Sequence, residues 1–518
     1  MTSIAVLADI HLTSSRDTVQ YFCWSWALEF LKKTKPDLIV LAGDVTAVGT
    51  VETARMIRDD IEKTGLPFLI TLGNAEIRTP EASSEVADIF ATPNHFANNE
   101  CLVLTLDTST GVISESERNS LNISISDANG LNVALATHMA IPTLEQESRE
   151  WLEGFLAKAN VSLFVCAHRH REEERVEGRA KYVMIRGLDP EKAISEPPAI
   201  ALFKLENEIW NKEDIVYTEA TACDWNALER QDFMDRLGVS FLVEGEIFSD
   251  MDFAISERIP CIELRNCAAN LDRKLLLAKL QLWREAGGRY LSWHMPNLVW
   301  NPEKKCLDGV DSWRSSCEAI EELGVQGATV HPPYVPVGEM EKGSATRESI
   351  AEASAELLSF AKDKGIAIAL ENLHMEAHEK TDIFRRFGYL PDELIGWRDE
   401  ISAKMQYKIG FLLDLGHARN NGPYSSTHTL GEWFSAFGQN IGAFHIHQVA
   451  PAEKGGNKTN HAPIQSLFGP LISYGAFLCA WKRKQISHCP IFIEVRGQSN
   501  RQQTYLNIKQ YIQTAKRD

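Results

Sequence analysis

The ten cysteines include no C-x-x-C pair; they are scattered, and Cys166, Cys261 and Cys479 fall inside apparent strands or helices. This pattern argues against a zinc ribbon or a disulfide framework and reads as reduced, structural thiols. No run of 18 apolar residues occurs, and the chain enters a strand at once (SIAVLADIHL) without a basic stretch leading into an apolar one. Neither a membrane span nor a secretory signal is expected, so the chain reads as cytoplasmic with no membrane partner. G-x-G-x-x-G and P-loop patterns are missing too, and a nucleotide cofactor is not indicated. Positive charge is in short supply: 53 Lys and Arg stand against 71 Asp and Glu, a formal charge of −18. Such a balance repels polyanions and disfavours nucleic acid as a partner.

What is present is apolar sequence in quantity, 44% of 518 residues, enough for the cores of two to four domains. The most informative stretch is GFLLDLGHARNNG, residues 410–422, where Asp414 sits among Phe411, Leu412, Leu413 and Leu415, and His417 follows three residues later. A carboxylate at the end of a buried strand must be neutralised, and a metal cation does this at least cost. Apolar runs end the same way at His294 (LSWHMP), His331 (GATVHPP), Glu371 (IAIALENLH), His445 (AFHIHQ) and Glu494 (IFIEVRG). Packing alone explains such a series poorly, because each buried ionisable group needs its own partner.

The first half has its own series. IAVLA leads to Asp9 and His11, and strand alternation puts residues i and i+2 on one face, so both side chains reach one ion. A helix is expected over residues 18–34. DLIVLAGDVT then ends in Gly43-Asp44, PFLITLGNAE in Gly73-Asn74, NVALATHM supplies His138, and SLFVCAHRH supplies His168 and His170. REEER, residues 171–175, reads as a solvated loop, and residues 181–205 as further strands.

D-x-H, G-D, G-N, a lone His and H-x-H, in that order, resemble the calcineurin-like metallophosphoesterases over roughly residues 1–220. The resemblance implies one ion on Asp9, His11 and His170, a second on Asn74, His138 and His168, and Asp44 bridging them. Their mixed N and O donors suit Mn, Fe or Zn. It also implies two-metal hydrolysis of a phosphate ester. The family's G-N-H-D/E is here Gly73-Asn74-Ala75-Glu76, so the histidine that helps protonate the leaving group is missing. Acid–base help of that kind is worth roughly 10²–10⁴-fold. The alternatives are an activated substrate or another acid, a weak catalyst, or an introduced substitution at Ala75. Ala167-His168-Arg169-His170 replaces G-H-x-H and keeps both ligands.

Between residues 206 and 235 periodicity fades, and the domains are expected to span residues 1–225 and 233–518. From Val239 onward, eight apolar strands alternate with helices, the pattern of a parallel sheet closed as a (β/α)₈ barrel. Every candidate ligand lies at the C-terminal end of a strand, the catalytic face of such a barrel. The fold class is therefore α/β throughout, a metallophosphoesterase sandwich followed by a TIM barrel.

H, H-P, E-N, D-x-x-H, H-x-H, a later H and a final E resemble the xylose isomerase-like barrels, the group that contains endonuclease IV and the sugar isomerases and epimerases. The resemblance implies an ion on Glu371, Asp414, His445 and Glu494. In the epimerase branch Glu371 and Glu494 exchange a proton at carbon while His417 contacts the sugar. His294 and His331, with Glu371 as a bridge, match a further ion site of endonuclease IV, and His417 and His461 match two ligands of a third. The third site's aspartate is here Thr459, so one or two ions (Zn or Mn) are expected in the barrel and a third is disfavoured.

Smaller features stay open. Glu263 either touches substrate or pairs with Arg265. Lys454 and Lys458 flank Gly455-Gly456 on the catalytic face, where phosphates bind; the alternative is a solvated loop. His447 shares a strand face with His445 and reads as a group behind the ligands or a substrate contact. His374, His378 and His488 look incidental.

Together these features point to a bifunctional metal-dependent enzyme that hydrolyses a phosphoester in its first domain. In the barrel it performs isomerase, epimerase or lyase-type chemistry on a phosphorylated carbohydrate. The rivals are a DNA-repair phosphodiesterase and a metal-binding scaffold with one inactive site.

Overall fold

The computed structural model of the chain describes residues 2–126, 128, 130–376, 379, 385–450 and 459–516. Contacts divide it into two units. One comprises the chain up to Thr221 together with Phe468–Cys479; the other comprises Ala222–Leu467 and the residues from Ala480 onward. The division falls just before the boundary read from sequence, and it adds to the first unit a segment that sequence assigns to the barrel.

In the first unit, β1 (Thr2–Leu7), β2 (Leu38–Ala42) and β3 (Phe68–Thr71) run parallel, with β10 (Ala199–Glu206) and β11 (Ile209–Val216) added antiparallel in the order β11-β10-β1-β2-β3. The second sheet comprises β4 (His95–Ala97), β5 (Cys101–Leu106), β6 (Asn132–Thr137), β7 (Val161–Cys166), β8 (Glu173–Glu177) and β9 (Ala180–Met184), in the order β4-β5-β6-β7-β9-β8. Both sheets contribute to one apolar core, for example Val6, Val40, Ala134, Val165 and Phe203. Alternating inward residues from two facing sheets make a sandwich of this kind. The helix expected at 18–34 spans Val19–Thr34. The Thr18 side chain caps it by accepting from Tyr21 N, and Lys35 in the left-handed region (φ 50°) ends it.

Two local readings change. β5 went unread because no ligand follows it; the next carboxylate, Asp107, accepts from Ser109 N at 2.8 Å and closes a turn. The REEER stretch is not a loop, since it leads into the edge strand β8. There Arg175 lies 3.5 Å from the Tyr182 ring centre and Lys181 pairs with Glu174 at 3.1 Å. Charged residues on an edge strand deter pairing with other chains.

The second unit is a closed parallel barrel of β12 (Leu237–Ser240), β13 (Cys261–Arg265), β14 (Tyr290–His294), β17 (Gly327–Val330), β18 (Ala367–Glu371), β19 (Gly410–Asp414), β20 (Ile441–Ile446) and β23 (Ile491–Ile493). Two short ribbons, β15 (Val299–Asn301) with β16 (Cys306–Asp308) and β21 (Gln448–Ala450) with β22 (Thr459–Ala462), lie outside it. Cys261, Ala369, Leu412, Ala443 and Phe492 form one packed layer of the interior. All ten cysteines are free. Among the described residues no helix is long and apolar enough to cross a membrane.

Candidate metal centres

β1 stops at Leu7, and Asp9 and His11 follow with φ of 51° and 50°. Strand alternation is therefore not what brings them together, as the D-x-H spacing suggested. Left-handed backbone does, a conformation that non-glycine residues keep only where their surroundings impose it. The surroundings are explicit: Asp9 N donates to Gly43 O (3.0 Å), and Ile10 N and His11 N both donate to Asp44 O (2.9 and 3.0 Å). Asp44, His168 and His170 are left-handed as well, at φ 48°, 75° and 53°. Gly43, at φ 78°, leaves the space that His138 fills, since a Cβ there would lie 2.7 Å from the imidazole.

The ligand-type atoms gather in two groups, Asp9 with His11 and His170, and Asp44 with His138 and His168. His138 Nε2 lies 3.3 Å from Asp44 Oδ1, 3.3 Å from Asn74 Oδ1 and 3.1 Å from His168 Nδ1. An ion bound at about 2.1 Å spaces neighbouring ligand atoms by roughly 3.0–3.4 Å, so this group fits one. Asp44 Oδ2 faces the other group, 3.9 Å from His11 Nε2, as a bridge requires. In that group Asp9 Oδ1 and both His11 ring nitrogens are buried without a hydrogen-bond partner among the described residues, which suits a cation. His138 Nδ1 lies 3.0 Å from Ala42 O; donating to it leaves the Nε2 lone pair facing the site. Burial, helped by Lys192, holds His11 well below the usual histidine range, and burial with His138 brings His168 down to about 4. Both imidazoles are thus neutral, the form that binds metal.

Ala75 contributes only its backbone, donating to Asp44 Oδ1 at 2.7 Å. Glu76 is structural: its buried carboxyl accepts from Asp44 N, Thr46 N, Thr46 Oγ1 and Gly73 N at 2.8–2.9 Å, while burial and then Asp44 push it up to about 7. Sequence reading missed Asp189 and Lys192. Asp189 N donates to Asp9 O at 2.9 Å, and the Lys192 charge acts on His11. The Asp189-Pro190 turn signal just after Gly187 was the available clue.

In the barrel, the strand ends converge. Glu371 Oε2 lies 3.1 Å from His294 Nε2 and 2.9 Å from His331 Nε2; its Oε1 lies 3.2 Å from His445 Nδ1 and 3.5 Å from His417 Nδ1. His445 Nδ1 is also 3.0 Å from Glu494 Oε2 and 3.9 Å from Asp414 Oδ2. The spacings of Glu371 to His294, His331 and His445 and of His445 to Glu494 again come close to a shell of bonds near 2.1 Å, while Asp414 and His417 stand farther out. The far nitrogens of two of the histidines are occupied: His294 Nδ1 faces Met295 O (3.0 Å) and His331 Nδ1 faces Asn297 Oδ1 (2.6 Å), whereas His417 meets Asn372 O (2.9 Å) through the same Nδ1 that faces Glu371. Such partners orient imidazoles for metal binding.

Of the two alternatives open for Glu263, pairing with Arg265 does not occur. Fully buried Glu263 receives His445 Nε2 at 2.8 Å, Ser240 Oγ at 2.7 Å and Thr329 Oγ1 at 2.6 Å, whereas Arg265 pairs with Glu494. Burial opposes charge at both members of the first pair. Before an ion binds, their mutual attraction outweighs it, holding Glu263 below the usual carboxylate range and His445 above the usual histidine range.

His447 Nε2 stands 3.1 Å from Asp414 Oδ1, over Gly416, where a Cβ would come within 1.9 Å of its ring. It packs in a triangle with His417 and His461, whose ring centres are 5.8 and 4.5 Å away and 5.9 Å from each other. His461 Nδ1 is 3.6 Å from Glu494 Oε2. Thr459 is exposed and directs its hydroxyl to Ala450 O at 3.4 Å, so it offers no ligand. His374 is not incidental: its ring centre lies 4.6 Å from that of His417. His488 pairs with Asp232 at 2.6 Å. Lys454, Lys458 and His378 lie outside the described residues.

Comparison with known proteins finds two families along the chain. Residues 2–172 match the family of calcineurin-like phosphoesterases, and residues 264–514 match the xylose isomerase-like TIM barrels. A dimetal phosphatase from Danio rerio is 13% identical, covering 42% of this chain and 99% of its own, with a TM-score of 0.33. A 3-keto-D-glucoside 4-epimerase from E. coli is 12% identical over 54% of this chain and 99% of its own, with a TM-score of 0.34. Endonuclease IV from Thermus thermophilus is 16% identical over 54% and 98%, with a TM-score of 0.37. No curated protein matches the chain significantly. The chain therefore joins a calcineurin-like phosphoesterase domain to a xylose isomerase-like TIM barrel.

Proposed function

We propose that the chain is a bifunctional, cytoplasmic metalloenzyme of small phosphorylated carbohydrates, hydrolysing a phosphoester in the first domain and cleaving a sugar phosphodiester in the barrel. The observation that carries the barrel assignment is Glu371, whose Oε2 faces His294 and His331 while Oε1 faces His445. A carboxylate divided in this way suits a pair of ions. When bound, such ions clamp phosphoryl oxygens and acidify an attacking water. The chain's own residues hold the site in register: Asp44 spans the two groups of the first domain, and Asp414 and Glu494 meet Glu371 at His445 in the second. The charge of −18 favours a small substrate over a nucleic acid. Ten free cysteines fit a reducing compartment.

A second reading, isomerase or epimerase chemistry, is favoured by Glu371 and Glu494, which approach the same His445 nitrogen at 3.2 and 3.0 Å. One ion and two opposed glutamates suffice for proton exchange at carbon. The test is a panel of sugar phosphodiesters, sugar phosphates, free sugars and an abasic-site duplex, run on zinc- and manganese-loaded protein with Asp44→Asn and Glu371→Gln as controls. Diester cleavage lost only in Glu371→Gln and monoester cleavage lost only in Asp44→Asn are expected. Sugar isomerisation without diester cleavage would move the assignment to the second reading, and nicking of the duplex would replace the carbohydrate by DNA.

A further inference from the structure

Arg265 closes β13 beside His294, its register partner on β14. Two residues earlier on the same strand face, Glu263 reaches His445 inside the barrel, so the guanidinium stands one layer higher, at the mouth. Its side chain keeps 23% of its surface exposed. Nη2 pairs with Glu494 Oε1, and Nε is buried without a hydrogen-bond partner among the described residues.

Four buried carboxylates, Glu263, Glu371, Asp414 and Glu494, surround the barrel histidines. Two divalent ions would balance their charge, with Glu494 then turned to an ion. Arg265 would be left as the uncompensated charge of the site, its guanidinium losing the one ion-pair partner it has among the described residues. A planar fork of N–H donors in that condition matches the oxygens of a phosphoryl group. We propose that Arg265 is the phosphoryl-binding residue of the barrel, exchanging Glu494 for the anionic group of a phosphate ester when the ions are bound. The proposal rests on the two-ion reading above.

The test uses the full chain carrying Asp44→Asn, which disables the phosphate site of the first domain, loaded with zinc and titrated calorimetrically with inorganic phosphate. Arg265→Gln is expected to weaken phosphate binding about 10–100-fold with zinc content unchanged, and Arg265→Lys, which keeps charge but not the fork, to fall between. Unchanged affinity in Arg265→Gln overturns the proposal. Loss of zinc from Arg265→Gln also overturns it, because Arg265 would then be a structural counter-ion of Glu494. Glu371→Gln in the same background separates the two claims: phosphate binding that survives it removes the two-ion reading whatever Arg265 does.

Discussion

Arg501 offers a sharp test of how the barrel holds its last ligand. It is fully buried on the helix Gln498–Thr514; its Nη1 donates to Val495 O at 2.8 Å, and its Nη2 pairs with Glu246 at 2.9 Å and with Asp250. Val495 directly follows Glu494, so the guanidinium anchors the backbone that presents this carboxylate. Arg501→Met keeps much of the volume but leaves Asp250, itself 2% exposed, without its cation. Breaking a buried pair from one side costs about 3–5 kcal/mol. The cost depends on pH. Burial pushes Asp250 up to about 6 even beside Arg501. A carboxyl with a raised folded-state pKa favours folding most below its unfolded value of about 4, and this advantage is lost as pH rises through about 6. At pH 5 Asp250 is largely protonated in parent and variant alike, so the difference should shrink to the lost hydrogen bond to Val495 and the lost pair with Glu246, about 1–2 kcal/mol together. At pH 8 the full penalty should appear. Urea unfolding of both proteins at the two pH values, followed by barrel-tryptophan fluorescence, measures the gap. A destabilisation equal at pH 5 and pH 8 would refute the account.

Three further outcomes follow from the same geometry. Gly416→Ala should displace His447, cost about 1–3 kcal/mol by overpacking and lower bound zinc; an unchanged melting temperature with full zinc content would show that the ring moves freely. A protein ending at residue 225 lacks Phe468–Cys479, so Ser195 N loses Phe468 O as acceptor (2.9 Å), and Pro190 O and Glu191 O lose their donors from Ala476 and Ser473 (3.0 and 3.1 Å). It should melt lower and hold metal less well than the same unit in the full chain, and equal metal affinity would falsify that dependence. Ala75→His should raise hydrolysis of alkyl phosphates by roughly 10²–10⁴-fold, with a much smaller gain on p-nitrophenyl phosphate, whose leaving group needs no proton; a flat response on both would mean that the missing acid does not limit this site.

The succession of apolar runs and their polar endings made both folds legible, because burial and strand direction are written in local sequence. IAVLA, LIVLA and FLITLG can hardly be anything but buried strands, and eight such runs alternating with helices leave few topologies open. The residues at their ends were legible for the same reason: a His or Asp after five apolar residues stands out without any structure. Other features were not local. The D-x-H pair meets through left-handed turns held by Gly43 and Asp44, not through strand alternation. Glu263 and Arg265, two residues apart, take partners 182 and 229 positions away, His445 and Glu494, and no property of CIELR could choose between them. The segment Phe468–Cys479 joins a unit whose other residues end at Thr221. Sequence by itself determined the ligand-bearing strands and which ionisable groups sit at their ends, though not β5 or the edge strand β8, since hydrophobicity and turn chemistry act over a few residues. Only the tertiary structure decided which of those groups face one another, because closing a sheet brings together strand ends that are far apart along the chain.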